Sequence, residues 1–184
     1  MPMPFSRLQL TTALPAALAA NNSLSIQSPA SGIVQSLSKS TEAAAAAGFL
    51  GEGIQLLLQG TELKAPFDGI FTRQDATGQQ LRFYHANGLQ LDIHFPPECI
   101  NGHGRGFDWQ IAPQQGQSAR VTAGQLVLNF DPVLLHQWVQ PLSCIITLKS
   151  HPRFGTIWCR SGYHEVWHDT LFFIELTTSN NGTH

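Results

Sequence analysis

Charged side chains are scarce in this chain. Asp, Glu, Lys and Arg make up 12% of its 184 residues, about half of the usual share of roughly 25%. The ten basic residues are spread along the sequence, and the formal net charge is −2. Proteins that bind nucleic acid neutralise its phosphates with clustered Lys and Arg side chains. The composition therefore argues against nucleic acid as a partner.

Cysteine is also rare. The three cysteines, Cys99, Cys144 and Cys159, are too few and too odd in number for a disulfide framework. No C-x-x-C pair indicates a thiolate zinc site. We expect reduced thiols and a cytoplasmic protein.

Long apolar runs are missing as well, because no run approaches the ~20 residues that span a bilayer. Near the start, Arg7 precedes a mildly apolar stretch that ends in Ala-Leu-Ala-Ala, a loose likeness to a signal peptide. Gln9, Thr11 and Pro15 interrupt that stretch. We predict a flexible leader over residues 1–22, with secretion as the alternative.

What the chain does contain is many short apolar or alternating segments, separated by Gly, Pro, Asn and Gln. This pattern is typical of an all-β sandwich or barrel. Residues 89–95 alternate strictly, so Gln90, Asp92 and His94 share one face of a strand and the apolar residues share the other. An alanine run after Glu42 predicts one short helical turn that Gly48 ends.

The domain organisation follows from the same patterns. Apolar residues make up 42% of the chain, and its length suits one domain with a real core. We place this domain at residues 23–176. The polar residues 177–184 are predicted to form a disordered tail.

Six short motifs occur in a fixed order with nearly constant spacing between about residues 24 and 176. They are PASGIV at 29–34, GEGI at 51–54, APFDG at 65–69, GLQLDIHF at 88–95, GRGF at 104–107, and the segment 121–131. Each motif alone is weak, but their order is specific. Together they resemble the glucose-type enzyme IIA family of the bacterial phosphoenolpyruvate-dependent sugar phosphotransferase system.

The resemblance implies a fold and an activity. The fold would be an antiparallel β-sandwich of the duplicated hybrid motif type. A histidine of the signature strand, which falls on His94 here, would accept a phosphoryl group from the carrier protein HPr. It would pass the group to an enzyme IIB/IIC sugar permease, and the resemblance implies no cofactor and no metal.

Around the nucleophile this sequence departs from the family pattern. The family has a T-x-H-A segment whose histidine supports the phosphoryl group, and here Thr77 and Gln79 occupy the matching positions. The amide of Gln79 can donate a hydrogen bond but carries no charge. Pro96 stands where the family has glycine, and proline lacks a backbone donor. We therefore keep the loss of onward transfer as an alternative.

The resemblance also implies a docking surface for partner proteins, apolar with an acidic rim. Its positions fall on Glu42, Phe49, Leu50, Asp92, Glu98 and Ile100. Glu42 can equally be a plain acid at a helix start. Asp92 is expected to repel an incoming phosphate while making His94 more basic.

Two other functions compete with the phosphocarrier. One is a regulatory relative that binds partners through the same surface without passing phosphate on. The other is a metalloprotease, because HEVWH at 164–168 matches H-E-x-x-H, which binds zinc only on a helix. Val166 and Trp167 favour a strand, which would separate the two histidines by about 13 Å. No H-x-H pair of the related zinc endopeptidases is present either, so we predict no metal.

Overall fold

A computed structural model describes residues 7–19, 22–75, 79–114 and 116–177. The described residues form fourteen strands and only short helices, so the all-β prediction is confirmed. The strands are β1 (Leu8–Thr11), β2 (Ser23–Gln27), β3 (Ala30–Ser36), β4 (Glu52–Lys64), β5 (Gly69–Arg73), β6 (Gln80–Tyr84), β7 (Gln90–His94), β8 (Phe107–Trp109), β9 (Ser118–Val121), β10 (Leu126–Phe130), β11 (Ser143–Leu148), β12 (Phe154–Arg160), β13 (Gly162–His164) and β14 (Thr170–Leu176). The α-helices are α1 (Ala43–Ala46) and α2 (Pro132–Leu135), and 3₁₀ turns cover Ala16–Ala19, Leu37–Lys39 and Pro97–Gly102.

The strands are arranged in two sheets. The smaller sheet has the order β1-β12-β14-β2, and the larger one has the order β13-β3-β4-β11-β7-β6-β5-β9, with β10 joining β4 to β8. Among the described residues, β1 and β12 are the one parallel pair and the other pairs are antiparallel. Strand β7 therefore lies inside the larger sheet, between β6 and β11.

The alternation predicted for residues 89–95 is confirmed by burial. Leu91 and Ile93 have no exposed surface and belong to the main hydrophobic core, whereas Gln90, Asp92 and His94 are partly exposed. Successive side chains of a strand point to opposite faces of a sheet. The polar face of β7 is thus the one that solvent can reach.

The alanine run forms the predicted short helix, α1. Four residues are too few for a helix that is stable alone. Ala45 is 1% exposed, so α1 packs against the rest of the domain. The helix ends where Gly48 takes a positive φ of 79°. Glu42 precedes it without a side-chain cap.

Part of the segment predicted as a flexible leader forms a strand. Leu8–Thr11 are β1, paired along β12 with Leu8 opposite Ile157. The guanidinium of Arg7 donates to the carbonyl oxygen of Phe154 at 2.8 Å. The domain boundary at residue 22 stays a prediction, and residues 178–184 of the predicted tail lie outside the described residues.

No helix in the described ranges is long and apolar enough to cross a membrane.

Candidate functional site

His94 is the last residue of β7. Its backbone lies between Gln80 of β6 and Ile145 of β11. Its neighbours along the strand, Ile93 and Phe95, are 0% and 3% exposed and hold this part of the chain in the core. His94 as a residue is partly exposed, on the solvent side of the sheet.

The carboxylate of Asp92, two residues earlier on the same face, is fully engaged. Arg82 stands directly opposite on β6 and donates through Nε to Oδ1 at 2.8 Å and through Nη2 to Oδ2 at 3.0 Å. The amide of Gln90 approaches both oxygens, at 3.4 and 3.2 Å. A guanidinium therefore neutralises Asp92 across the hairpin. The expected repulsion of an incoming phosphate by Asp92 stays a prediction.

The surroundings of His94 lower the pKa of its imidazole. Burial is the largest cause, since it disfavours the charged ring. The carboxylates of Asp92, Glu42 and Asp75 oppose this effect, and the positive charge of Arg82 adds to it. At neutral pH the ring is thus in its neutral, nucleophilic form.

Gln79 lies next to the chain segment that follows the histidine. Its carbonyl accepts a hydrogen bond from the backbone N–H of Phe95 at 2.8 Å. Its side-chain Nε2 donates to the carbonyl of Pro97 at 3.4 Å, and the residue is buried. Two polar contacts therefore fix Gln79 beside the end of β7. Thr77, its predicted companion, lies outside the described residues.

The chain after His94 turns into a 3₁₀ helix. Pro96 has an ordinary φ of −56° and precedes the helix Pro97–Gly102. Proline suits a helix start because the first N–H groups of a helix lack partners in any case. The double proline is thus part of a regular helix start, and it offers a ligand no backbone donor.

The predicted docking residues lie at the surface but not in one depression. Phe49 is 84% exposed and Ile100 is 49% exposed, and Glu98 is exposed as well. Phe49, Leu50 and Asp92 line a common groove that also includes Arg7. Ile100 lines a separate depression with Trp109.

Comparison with known proteins assigns the family. The family model of the phosphoenolpyruvate-dependent sugar phosphotransferase system, EIIA 1, matches residues 24–153. The chain belongs to this EIIA family. That range includes the His94 strand, the predicted docking residues and the Arg82–Asp92 pair.

Several curated proteins resemble this EIIA chain. It is 29% identical over 108 residues to a PTS system glucose-specific EIIA component of Borreliella burgdorferi, covering 59% of the chain and 55% of the relative. It is 28% identical over 113 residues to the component of the same name in Haemophilus influenzae, with shares of 61% and 66%. It is 29% identical over 140 residues to a PTS system glucose-specific EIIBCA component of Corynebacterium glutamicum, with shares of 76% and 20%. The matches thus span 20% to 66% of these relatives.

A solved structure confirms the predicted fold of this EIIA chain. Glucose permease IIA from Mycoplasma capricolum superposes with a TM-score of 0.71 at 17% identity. The match covers 84% of this chain and 97% of that one. At such low identity the likeness concerns the β-sandwich fold alone.

The HEVWH segment of this EIIA chain lacks the helical geometry that the zinc-protease motif requires. Strand β13 ends at His164, and residues 166–168 form a turn in which Trp167 has a φ of 66°. The continuous strand predicted through His168 is therefore wrong, and the helix that zinc binding needs is absent from the segment as well. His164 is fully buried, with Nε2 2.7 Å from the carbonyl oxygen of Arg160. The described ranges contain no group of three or more His, Cys, Asp or Glu that could hold a metal.

Sequence reasoning missed Arg82 as a site residue. Part of the signal was present, because Asn87-Gly88 is a strong hairpin turn. A two-residue Asn-Gly loop would pair residue 82 with residue 93, whereas the structure has a three-residue loop centred on residue 87 and pairs Arg82 with Asp92. The turn signal alone would therefore have placed Arg82 one residue out of register with Asp92.

Proposed function

We propose that this EIIA chain is a histidine phosphocarrier that accepts a phosphoryl group from HPr on His94 and passes it to an enzyme IIB/IIC sugar permease. One observation carries the proposal. In a chain of the EIIA family, the matching histidine stands partly exposed on the polar face of a strand whose other face is locked in the core. We also propose a cytoplasmic location, because the chain belongs to the EIIA family.

The chemical step needs a neutral imidazole and little else. A ring nitrogen of His94 uses its lone pair to attack the phosphorus of phosphohistidine on HPr. As the new P–N bond forms, the P–N bond to the donor ring breaks and its electron pair returns to the donor nitrogen. No proton is gained or lost overall. Such a transfer depends mainly on in-line positioning and on charge stabilisation.

Gln79 and Thr77 are proposed to assist this step. The amide of Gln79 has two N–H donors, and its contact with Pro97 uses one of them. The second is proposed to donate to a phosphoryl oxygen. The role of Thr77 rests on its place in the family motif.

We assign the contact with partner proteins to the exposed apolar residues Phe49, Leu50 and Ile100, with Glu42 and Glu98 at the rim. Aromatic and aliphatic side chains at the centre of an interface and charges at its edge are a common arrangement. The relative from Corynebacterium glutamicum is named an EIIBCA component, so its name joins B, C and A parts. This supports a permease as the onward partner.

Phosphorylation with labelled phosphoenolpyruvate, enzyme I and HPr tests the proposal. We expect an acid-labile label on the wild-type protein that is lost in His94→Ala. The matched control is His103→Ala, which removes an exposed histidine and should keep the label. A wild-type protein without label, or a label that persists in His94→Ala, would contradict the proposal.

Adding an enzyme IIB domain then tests the second half of the reaction. We expect the label to move from His94 to the added domain. Label that stays on His94 would refute the relay and favour the regulatory alternative.

A further inference from the structure

A phosphoryl group on His94 would add negative charge beside carboxylates. It brings up to two negative charges to a position that already senses Glu42 and Asp75, in addition to Asp92, which is paired with Arg82. The family pattern supplies a second histidine, but Gln79 stands there and carries no charge. A cation beside the phosphoryl group would bind it more strongly than a neutral donor such as Gln79.

Arg82 is placed to supply it. Gln80 is opposite His94 and Arg82 is opposite Asp92, so Arg82 is the diagonal cross-strand neighbour of His94. Diagonal pairs lie about 7–8 Å apart at their backbones, which long side chains can bridge. Arg82 is also the one cation among the described charged groups that act on the His94 ring.

The guanidinium is held in place yet keeps unused donors. Its contacts with Asp92 use Nε and one N–H of Nη2. A guanidinium has five N–H groups, and among the described residues no other hydrogen bond of Arg82 occurs. Because the two-point contact with a carboxylate fixes the plane of the guanidinium, the Nη1 edge has a defined direction. With 38% of its side chain exposed, Arg82 is open to a ligand.

We propose that Arg82, oriented by Asp92, binds the phosphoryl group on His94 and takes the place of the missing second histidine. Asp92 acts as a positioning residue for the guanidinium, and Gln90 supports Asp92 in turn. The inference rests on the proposed function, because it needs His94 to be the phosphoryl acceptor.

The test measures the equilibrium distribution of label between HPr and this protein. Because hydrogen bonds between charged groups are stronger than neutral ones, Arg82→Gln should shift the equilibrium toward HPr by roughly tenfold or more. Arg82→Lys should restore part of the loss because it keeps the charge without the planar fork. Arg120→Gln is the matched control: it removes an exposed arginine on β9, three strands from His94, and should equal the wild type.

A double variant of Arg82 and Asp92 shows whether Arg82 binds the phosphoryl group or only neutralises Asp92. Arg82→Gln alone leaves Asp92 without its cation, whereas Arg82→Gln combined with Asp92→Asn keeps the net charge of the pair unchanged. If Arg82 binds the phosphoryl group, the double variant stays impaired by roughly tenfold. A double variant with the wild-type equilibrium overturns the inference.

The outcomes also separate this inference from the proposed function. No label on the wild-type protein would refute the function itself. Label on His94 with an unchanged equilibrium in Arg82→Gln would refute only the role of Arg82. Thermal unfolding of each variant shows whether it is folded, and the equilibrium constant is read from the folded variants, including Arg82→Lys.

Discussion

Replacing Phe95 by alanine should destabilise the domain strongly. Phe95 follows the proposed nucleophile directly and is 3% exposed. Its ring makes edge contacts with Phe107 and Phe130, at centroid distances of 5.2 and 6.1 Å. Alanine removes the whole ring and leaves a cavity between those aromatic side chains.

The expected loss can be placed in a range. Truncating a buried phenylalanine to alanine costs about 3–5 kcal/mol of unfolding free energy, including the cavity. The contacts with two further rings put Phe95 near the middle of that range, at about 4 kcal/mol. For a domain of this size each kcal/mol shifts Tm by about 2–4 °C. Tm should therefore fall by about 8–16 °C.

Thermal unfolding followed by circular dichroism measures this loss, and Phe49→Ala is its matched control. Phe49 is 84% exposed, so its truncation should change stability by no more than about 0.5 kcal/mol. The same variant should raise KM for phospho-HPr, because Phe49 is a proposed docking residue. A loss below about 1 kcal/mol in Phe95→Ala would refute the packing argument.

Three further predictions concern pH and packing. The inflection in the rate of His94 phosphorylation should lie below pH 6.5, the ordinary histidine value, because burial lowers the pKa of His94; an inflection in the labelling rate above 6.5 would contradict this. Burial also lowers the pKa of His164 in the folded protein. As pH falls below 6.5, the unfolded chain therefore binds a proton at this residue before the folded chain does, and the free energy of unfolding decreases until pH has passed the pKa of the folded state. His164→Gln should show a smaller fall in Tm between pH 7 and pH 5 than the wild type, and an equal fall would exclude His164 as a cause. Gly53→Ala should cost about 1–3 kcal/mol in urea unfolding, because its Cβ would lie 2.2 Å from the carbonyl oxygen of Ile146; an unchanged midpoint would show that β4 and β11 are paired differently.

Strand β7 shows why part of the site could be predicted. The period of two in residues 89–95 is a local property, since it follows from the geometry of the extended chain. It placed His94 on the accessible face and Ile93 in the core, and the structure has both there. The order of the six motifs likewise led to the correct family and fold.

The HEVWH segment shows where local reasoning fails. Side-chain propensities favoured a strand through His168, but β13 ends at His164 and a turn follows. The backbone N–H of Val166 donates to Oγ of Ser31 at 2.9 Å, and that of Trp167 donates to the carbonyl of Ser28 at 2.9 Å. Contacts with a segment about 135 residues away override a preference worth at most ~1 kcal/mol.

By itself the sequence determined the class of fold, the family and the face on which His94 lies, because these depend on periodicity and on motif order. Only the tertiary structure decided that Arg82 neutralises Asp92, that Leu8–Thr11 pair with β12, and that the imidazole of His164 is buried. Leu8 and Ile157 are almost 150 residues apart in the sequence, whereas Arg82 and Asp92 meet through the register of one hairpin. The free energy that fixes these three features comes from strand register and packing, which no local segment of the sequence contains.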